Sequence, residues 1–215
     1  MNKLVIFDLD GTLLDSVPDI EVCLNQTLTN FGYSTHSREE ITAFIGNGAR
    51  NLVKRALPLN ETEEKVDECL KYYNKIYTAS GSPLTRLFDG IEKVINELWL
   101  RGYKIAILTN KPQITTDNIY SKHMAHLPIS KVVGQVDGVK IKPDPTVTEQ
   151  ILTEFNVQKE NAYFVGDGET DIKTAINAGI KGVGVLWGYR SKVQLEEAGA
   201  TLFALVPEDL LKIIP

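Results

Sequence analysis

The sequence predicts an α/β fold in which an all-helical unit is inserted into a parallel sheet. Residues 3–7 (KLVIF) form a short apolar run that stops at acidic residues and Gly11, as expected of a buried parallel strand that ends in a loop. Residues 16–77 carry helical patterns throughout. After Pro83, strand and helix patterns take turns, which predicts a parallel sheet covered by helices on both faces.

The individual elements follow from hydrophobic period and end signals. In the helical stretch, Ser37 and Glu40 predict a capping box, and Asn60 can cap the next helix. The alternating region has the following predicted elements: helix 91–100, strand 104–108, helix 113–121, a weaker strand around Val132, helix 146–155, strand 162–165, helix 171–178 and strand 182–186.

The strand at residues 3–7 has no crossover helix inside the early segment, so it is most simply joined to the later sheet. We therefore predict a Rossmann-like core made of residues 1–14 and 83–215. Residues 15–82 form the inserted helical domain.

Composition narrows the class of partner. The 215 residues include 28 acidic and 23 basic side chains, a net charge of -5, and no run of like charges, so we expect neither nucleic acid nor anionic lipid as partner. A small molecule is expected instead. No signal peptide or membrane span is predicted. Cys23 and Cys69 lack the spacing of a zinc or redox site, which favours a cytoplasmic location; the oligomeric state stays open.

Polar clusters follow three of the predicted strands, at residues 8–12, 109–111 and 166–171. In open parallel sheets the ligand crevice lies outside the carboxyl ends of the strands, so these clusters are expected to meet in space. In the first of them, Asp8 and Asp10 point the same way, and two neighbouring carboxylates require a cation or a shared proton.

The other residues of these clusters suit a phosphate and a hard metal ion. Gly11 permits close backbone approach, and Thr12 offers a hydroxyl and an N–H group. Thr109 and Asn110, before a helix, can hold phosphate oxygens. Lys142, stiffened between prolines in IKPDP, can hold a transferring phosphoryl group.

Magnesium is the expected cofactor, because it prefers oxygen ligands and is typically held by one or two carboxylates with substrate phosphate. Asp8 and Asp167 suit that requirement. Asp171 is a further candidate for the metal site. It could bind the ion directly or hold the groups around the ion, and the alternative is that it only caps the helix.

Taken in order, DLDGTLLDS from Asp8, TN at Thr109, KP at Lys142 and GDGETD from Gly166 resemble the four motifs of the haloacid dehalogenase-like (HAD) hydrolase superfamily. The helical unit stands where that family places its small helical cap domain. TNKP and residues 41–57 are further similar to the phosphoglycolate phosphatase branch.

The resemblance implies a magnesium-dependent phosphomonoester hydrolase that acts on a small phosphorylated metabolite. Asp8 would be the nucleophile that forms an aspartyl-phosphate, and Asp10 would protonate the leaving oxygen and later activate water. Asp8, the backbone carbonyl of Asp10 and Asp167 would bind the metal. Thr109, Asn110 and Lys142 would stabilise the transferring charge.

Substrate specificity is expected from the cap. Residues 46–50 form a glycine-bracketed loop that opens a helix, so Gly48 and Arg50 are candidate specificity residues, and Arg50 could pair with a substrate carboxylate. A solvated surface arginine is the alternative.

Other activities stay open on this scaffold. A β-phosphoglucomutase-like phosphomutase would use the same motifs, but residues 16–30 lack the cap histidine expected of one. A nucleotidase or a pyrophosphatase would differ only in what the cap recognises. A non-catalytic binding protein is disfavoured, because all the catalytic acids are retained.

Overall fold

The computed structural model describes residues 2–215. Its strands, in chain order, are β1 (Lys3–Phe7), β2 (Leu14–Asp15), β3 (Arg86–Leu87), β4 (Tyr103–Pro112), β5 (Lys131–Gln135), β6 (Ala162–Gly166), β7 (Lys181–Val185) and β8 (Leu202–Ala204). Its α-helices are α1 (Val17–Asn30), α2 (Arg38–Phe44), α3 (Gly48–Ala56), α4 (Glu63–Ser80), α5 (Ile91–Leu100), α6 (Gln113–His123), α7 (Thr146–Glu154), α8 (Glu169–Ala178), α9 (Lys192–Glu197) and α10 (Leu210–Ile213).

Six of these strands form one sheet in the order β5-β4-β1-β6-β7-β8, and every neighbouring pair is parallel. Side chains alternate between the two faces of β1, and both faces are buried. Val5 and Phe7 pack in a core that includes α5, whereas Leu4 and Ile6 pack in a core that includes α7 and α8. The predicted α/β parallel sheet with helices on both faces is confirmed.

The register of the central strands brings their carboxyl ends to one level. Phe7 of β1 pairs with Ile107 of β4 on one side and with Val165 of β6 on the other. The backbone N–H of Asp8 continues the ladder by donating to the Val165 carbonyl at 2.9 Å. The polar residues that follow these strands therefore meet at one edge of the sheet, as the sequence predicts.

Helices α1 to α4 lie between β2 and β3 in the chain, and these two short strands pair antiparallel at the base of the helical unit. The sequence pattern does not predict this pair, because two residues are too few to show a period. Asp19 of α1 is buried and bonds to the segment that follows α4. Its carboxylate accepts hydrogen bonds from the backbone N–H groups of Leu84 and Thr85 and from the Thr85 hydroxyl.

Helix ends differ from the prediction in a few places. The Ser37 and Glu40 capping box is confirmed. The cap of α4 is Thr62 rather than Asn60, because Thr62 takes the extended conformation that lets its hydroxyl accept from the N–H of Lys65. Helix α8 begins at Glu169 rather than Asp171. Within residues 2–215, no helix has both the length and the apolar character needed to cross a membrane.

Candidate active site

Asp8 and Asp10 follow the C-terminal end of β1, and both line the same cavity. The Asp8 side chain is 14% exposed, and one of its oxygens accepts a 2.7 Å hydrogen bond from Lys142 Nζ. A carboxylate that is held beside a cation and open to a cavity is available as a nucleophile.

Lys142 is the central cation of this site. Its side chain is 2% exposed, and its ammonium also donates to Asp171 Oδ1 at 2.6 Å. Burial alone would lower the pKa of Lys142, but attraction to Asp171 and Asp8 outweighs burial and raises it above its usual value. Lys142 is therefore charged at neutral pH.

Asn110 holds the backbone of Lys142 in place. Its side-chain oxygen accepts from the Lys142 N–H at 2.9 Å, and its side-chain nitrogen donates to the Lys142 carbonyl at 3.1 Å. This reciprocal pair joins the end of β4 to the loop that carries the lysine. The lysine position is thus set by the sheet.

Asp8, Asp167 and Asp171 form an acidic cluster in which one oxygen from each lies within 4.8 Å of the others. Burial and then repulsion from Asp171 raise the pKa of Asp8 to about 7 and that of Asp167 to about 8. When all three carboxyl groups are ionised, three negative charges face the single positive charge of Lys142, and two are left unbalanced. This excess of charge on oxygen donors fits a divalent metal ion.

The chain packs tightly around Asp167 and fixes its two oxygens. Thr12 Oγ1 donates to Oδ1 at 3.1 Å, and the backbone N–H of Tyr189 donates to Oδ2 at 2.8 Å. Gly11 has φ +83°, and a Cβ at that position would lie 2.3 Å from Asp167 Oδ2. Only glycine allows both this backbone conformation and this close approach.

Asp10 is held by a different set of partners. The hydroxyl of Ser16 donates to its Oδ1 at 2.5 Å, and Lys111 Nζ lies 3.1 and 2.8 Å from its two oxygens. Lys111 is itself buried, with its ammonium 4.7 Å from the centre of the Tyr77 ring. Burial would lower the pKa of Lys111, but attraction to Asp10 raises it above its usual value.

The inserted helices partly cover the cavity above these groups. Residues from α1, the α2–α3 loop, α3 and α4 complete its wall: Ile20, Ile45, Gly46, Gly48, Ala49, Leu52, Tyr73, Asn74 and Tyr77. The cavity is partly open to solvent between the two sets of residues.

Arg190 fastens the inserted helices over the core. Its guanidinium is 10% exposed and pairs with Glu169 at 3.2 Å. It also donates to the backbone carbonyls of Thr42 and Ile45 at the C-terminal end of α2. A single core arginine thus ties the helical unit to the rim of the cavity.

The family model described as haloacid dehalogenase-like hydrolase matches residues 5–185, which is most of the chain and includes all four motifs. The chain belongs to the haloacid dehalogenase-like hydrolase family.

Relatives in this family have similar sequences and folds. The phosphoglycolate phosphatase of Vibrio parahaemolyticus is 31% identical over 99% of this chain and 96% of its own. That of Vibrio cholerae is 34% identical over 87% of this chain and 85% of its own. A crystal structure described as a predicted phosphoglycolate phosphatase from Haemophilus somnus superposes with a TM-score of 0.91, at 28% identity, over 100% of this chain and 98% of its own.

These similarities confirm the HAD-like assignment and its phosphoglycolate phosphatase-like branch. The chain is a phosphatase of this family. The cluster of Asp8, Asp167 and Asp171 can hold a metal ion.

Most of the site residues that were predicted from the sequence lie together at this edge of the sheet. The following line the cavity: Asp8, Asp10, Gly48, Thr109, Asn110, Lys142, Asp167 and Asp171. Asp171 has both its oxygens engaged, one by Lys142 and the other by the N–H of Gly168 at the start of α8. It is therefore both a helix cap and a partner of the lysine.

Gly11 and Thr12, expected to bind phosphate, are not on the cavity wall. The Gly11 N–H donates to the Leu14 carbonyl, and the Thr12 hydroxyl donates to Asp167. Both residues pack against the carboxylate of Asp167 instead and fix its position. The side chain of Asn110 is likewise occupied by the Lys142 backbone, which leaves its main chain as the part that can approach a phosphate.

Arg50, expected as a specificity residue, also lies elsewhere. Its side chain is 43% exposed and pairs with Glu63 at 2.6 Å and Asp67 at 3.0 Å. The cause is the helical period of α3, which turns Ala49 and Leu52 toward the cavity and Arg50 toward α4. The hypothesis that Arg50 binds a substrate carboxylate is therefore not supported.

Sequence reasoning assigned no role to Lys111 or Ser16. Both touch Asp10, and each is part of a motif quoted above, TNKP and DLDGTLLDS. The sequence around Ser16 does not show that the chain turns back and brings its hydroxyl to Asp10. The placement of Lys111 depends on tertiary contacts between β4 and the inserted helices.

Proposed function

We propose that this protein is a magnesium-dependent phosphatase of short, acidic phosphate monoesters, with phosphoglycolate as the expected substrate. The observation that carries the proposal is the Asp8 carboxylate, held 2.7 Å from a buried lysine in a cavity that the inserted helices partly cover. The names of the relatives support the substrate.

In the first step, an Asp8 oxygen attacks phosphorus while the bond from phosphorus to the ester oxygen breaks. Asp10 gives its proton to that ester oxygen, which leaves as an alcohol. Lys142 stabilises negative charge on the phosphoryl group as it moves to Asp8. The product on the enzyme is an aspartyl-phosphate.

In the second step, a water molecule attacks the phosphorus of the aspartyl-phosphate and gives a proton to Asp10. The bond between phosphorus and Asp8 breaks, which releases inorganic phosphate and restores both carboxyl groups. Ser16 and Lys111 hold Asp10 in one orientation for both transfers. One acid–base residue thus serves the two half-reactions.

The metal site is assigned to Asp8, Asp167 and the backbone carbonyl of Asp10, with Asp171 beside them. Magnesium bound there would neutralise charge on the transferring phosphoryl group. The hydroxyl of Thr109 and the main-chain N–H groups at the end of β4 would hold its other oxygens. These donors are all oxygen or N–H groups, which suits phosphate and magnesium together.

We infer that residues 15–82 act as a cap domain over a core of residues 1–14 and 83–215. The cap excludes bulk water from the aspartyl-phosphate and provides part of the specificity. We also propose a cytoplasmic location, which the free and buried thiols of Cys23 and Cys69 support.

The proposal is tested by measuring phosphate release from phosphoglycolate, from p-nitrophenyl phosphate and from a nucleoside monophosphate, each with magnesium and with a chelator. We expect the highest kcat/KM for phosphoglycolate and no turnover with the chelator. Asp8→Asn is expected to be inactive, and Asp67→Asn, at the exposed partner of Arg50, is the matched control. Turnover that persists in the chelator would contradict the metal assignment.

A further inference from the structure

Among residues 2–215, three cationic side chains line the cavity, and two of them already have several hydrogen-bond partners within the protein. Lys142 bonds to Asp8 and Asp171 at the phosphate end. Arg190 pairs with Glu169 and with carbonyls of the helical unit. The third, Lys111, hydrogen-bonds to the carboxylate of Asp10, and its ammonium also lies against the Tyr77 side chain. Lys111 is therefore the cation with spare capacity for a ligand.

An ammonium group has three N–H donors and no acceptor. In Lys111 both well-formed hydrogen bonds go to one carboxyl group, which leaves a third donor beside Tyr77 at the cavity wall. Its position also matters. Asp10 is the residue that protonates the leaving oxygen in the proposed reaction, so Lys111 lies on the leaving-group side of the substrate.

Helix α4 adds uncharged polar groups to the same wall. Tyr77 is 3% exposed and lines the cavity, and its hydroxyl has no partner that meets hydrogen-bond geometry. Lys111 and Ser82 lie next to this hydroxyl and lower its pKa, which burial raises. Asn74, one residue from Tyr73 on the same helix, is partly exposed and also lines the cavity. A buried hydroxyl without a well-formed hydrogen bond is costly, so the Tyr77 hydroxyl on the cavity wall points to a ligand.

We propose that Lys111, Tyr77 and Asn74 together bind the carboxylate of the substrate's leaving group. The inference rests on the proposed function and replaces Arg50 as the specificity determinant. A carboxylate fits better than a neutral hydroxyl, because it can accept from all three donors and it offsets the charge of a buried lysine. In a phosphoglycolate-like ester this carboxylate is joined through one carbon to the ester oxygen that Asp10 protonates, so both can be reached together.

The test compares two substrates that differ only in this group. 2-Phosphoglycolate carries the carboxylate, and 2-hydroxyethyl phosphate carries a neutral hydroxymethyl group in its place. The measured quantity is the ratio of kcat/KM for the acidic substrate to that for the neutral one, in the full-length protein with magnesium. A general loss of catalysis cancels in this ratio.

Tyr77→Phe is the sharpest variant, because it removes one hydroxyl that makes no well-formed hydrogen bond in the free protein. We expect the ratio to fall about tenfold, with no loss of thermal stability. Lys111→Met, which keeps most of the apolar stem, is expected to lower the ratio by more. The control is Lys104→Met, at an exposed lysine of the same strand β4, and it should leave the ratio unchanged.

The outcomes separate this inference from the proposed function. An unchanged or increased ratio in Tyr77→Phe and Lys111→Met overturns the carboxylate site, as does a wild-type ratio near one. If the wild-type protein released no phosphate from either ester or from p-nitrophenyl phosphate, the proposed function itself would fail. If Lys111→Met is inactive on both esters, the ratio in Tyr77→Phe and in Asn74→Ala decides the question.

Discussion

The ammonium of Lys142 bonds to Asp8 and Asp171 at once, at 2.7 and 2.6 Å, and so joins the candidate nucleophile to the start of α8. This ion pair is buried, and its lysine backbone is clamped by Asn110. The nucleophile is therefore held by three separate parts of the sheet edge rather than by its own loop. Such positioning is what a phosphoryl transfer site requires.

Removal of this cation should damage catalysis more than folding of the rest of the chain. We expect Lys142→Met to lower kcat about a hundredfold or more, because charge on the transferring phosphoryl group loses its fixed partner. Lys140→Met, at a neighbouring exposed lysine that pairs with Asp144, is the control and should retain full activity. Phosphate release under saturating substrate measures both variants. Equal activity in the two variants would contradict the role of Lys142.

The metal-free protein should lose stability as the pH rises from about 4 to about 8. The pKa values of Asp8 and Asp167 are raised from 3.8 to about 7 and about 8, so the folded chain binds more protons than the unfolded chain between these limits. Their contribution is present below pH 3.8 and is lost as the pH passes the raised values.

A divalent ion reverses this loss because it binds the ionised carboxylates. We therefore expect magnesium to raise Tm at pH 8 by clearly more than at pH 5, as measured by thermal unfolding with and without the ion. Asp167→Asn should remove most of the difference. A magnesium effect that does not depend on pH, or that survives in Asp167→Asn, would count against this site.

Arg190 should control closure of the helical unit. In Arg190→Gln the pairing with Glu169 and the bonds to the carbonyls of Thr42 and Ile45 are weakened. We expect KM to rise about tenfold and amide exchange at residues 45–49 to become faster. Arg38→Gln, which alters an exposed pair with Glu21 inside the unit, is the control. Slow exchange at 45–49 in the Arg190 variant would show that other contacts hold the unit closed.

Asp19 should be a stability residue rather than a catalytic one. Its carboxylate accepts from the N–H groups of Leu84 and Thr85 and from the Thr85 hydroxyl, at 2.6 to 3.0 Å. In Asp19→Asn an amide NH₂ would face some of these donors, at a cost of about 2 kcal/mol in the free energy of unfolding. Asp67→Asn, on the surface of the inserted helices, should cost under about 1 kcal/mol. Urea unfolding compares the two, and equal losses would refute the assignment.

Much of the fold and part of the site could be predicted from residues alone. The apolar run before Asp8 and the alternation after Pro83 are local patterns, and the rule that parallel strands end at one edge brings Asp8 and Asp167 together. The strand that carries Thr109 follows the same rule. The central acidic cluster was therefore predictable.

The rest depends on how separate elements meet. Arg50 faces α4, whereas its neighbour Ala49 faces the cavity. Successive residues of a helix point in different directions, and the motif does not show which of them will face the cavity. The side chains of Asn110 and Thr12 bond to buried groups more than 30 residues away in the chain. The sequence alone therefore does not show whether each side chain binds phosphate or forms a hydrogen bond within the protein. Contact between Lys111 and Tyr77 likewise joins the sheet to the inserted helices.

The most direct test of the central claim is to trap the phosphorylated enzyme. The protein is mixed with phosphoglycolate and magnesium, quenched in acid within one turnover, digested and analysed by mass spectrometry. A phosphoryl group on the peptide that contains Asp8, absent in Asp8→Asn, is the predicted result. Normal turnover by Asp8→Asn, or a phosphoryl group on a different residue, would contradict it.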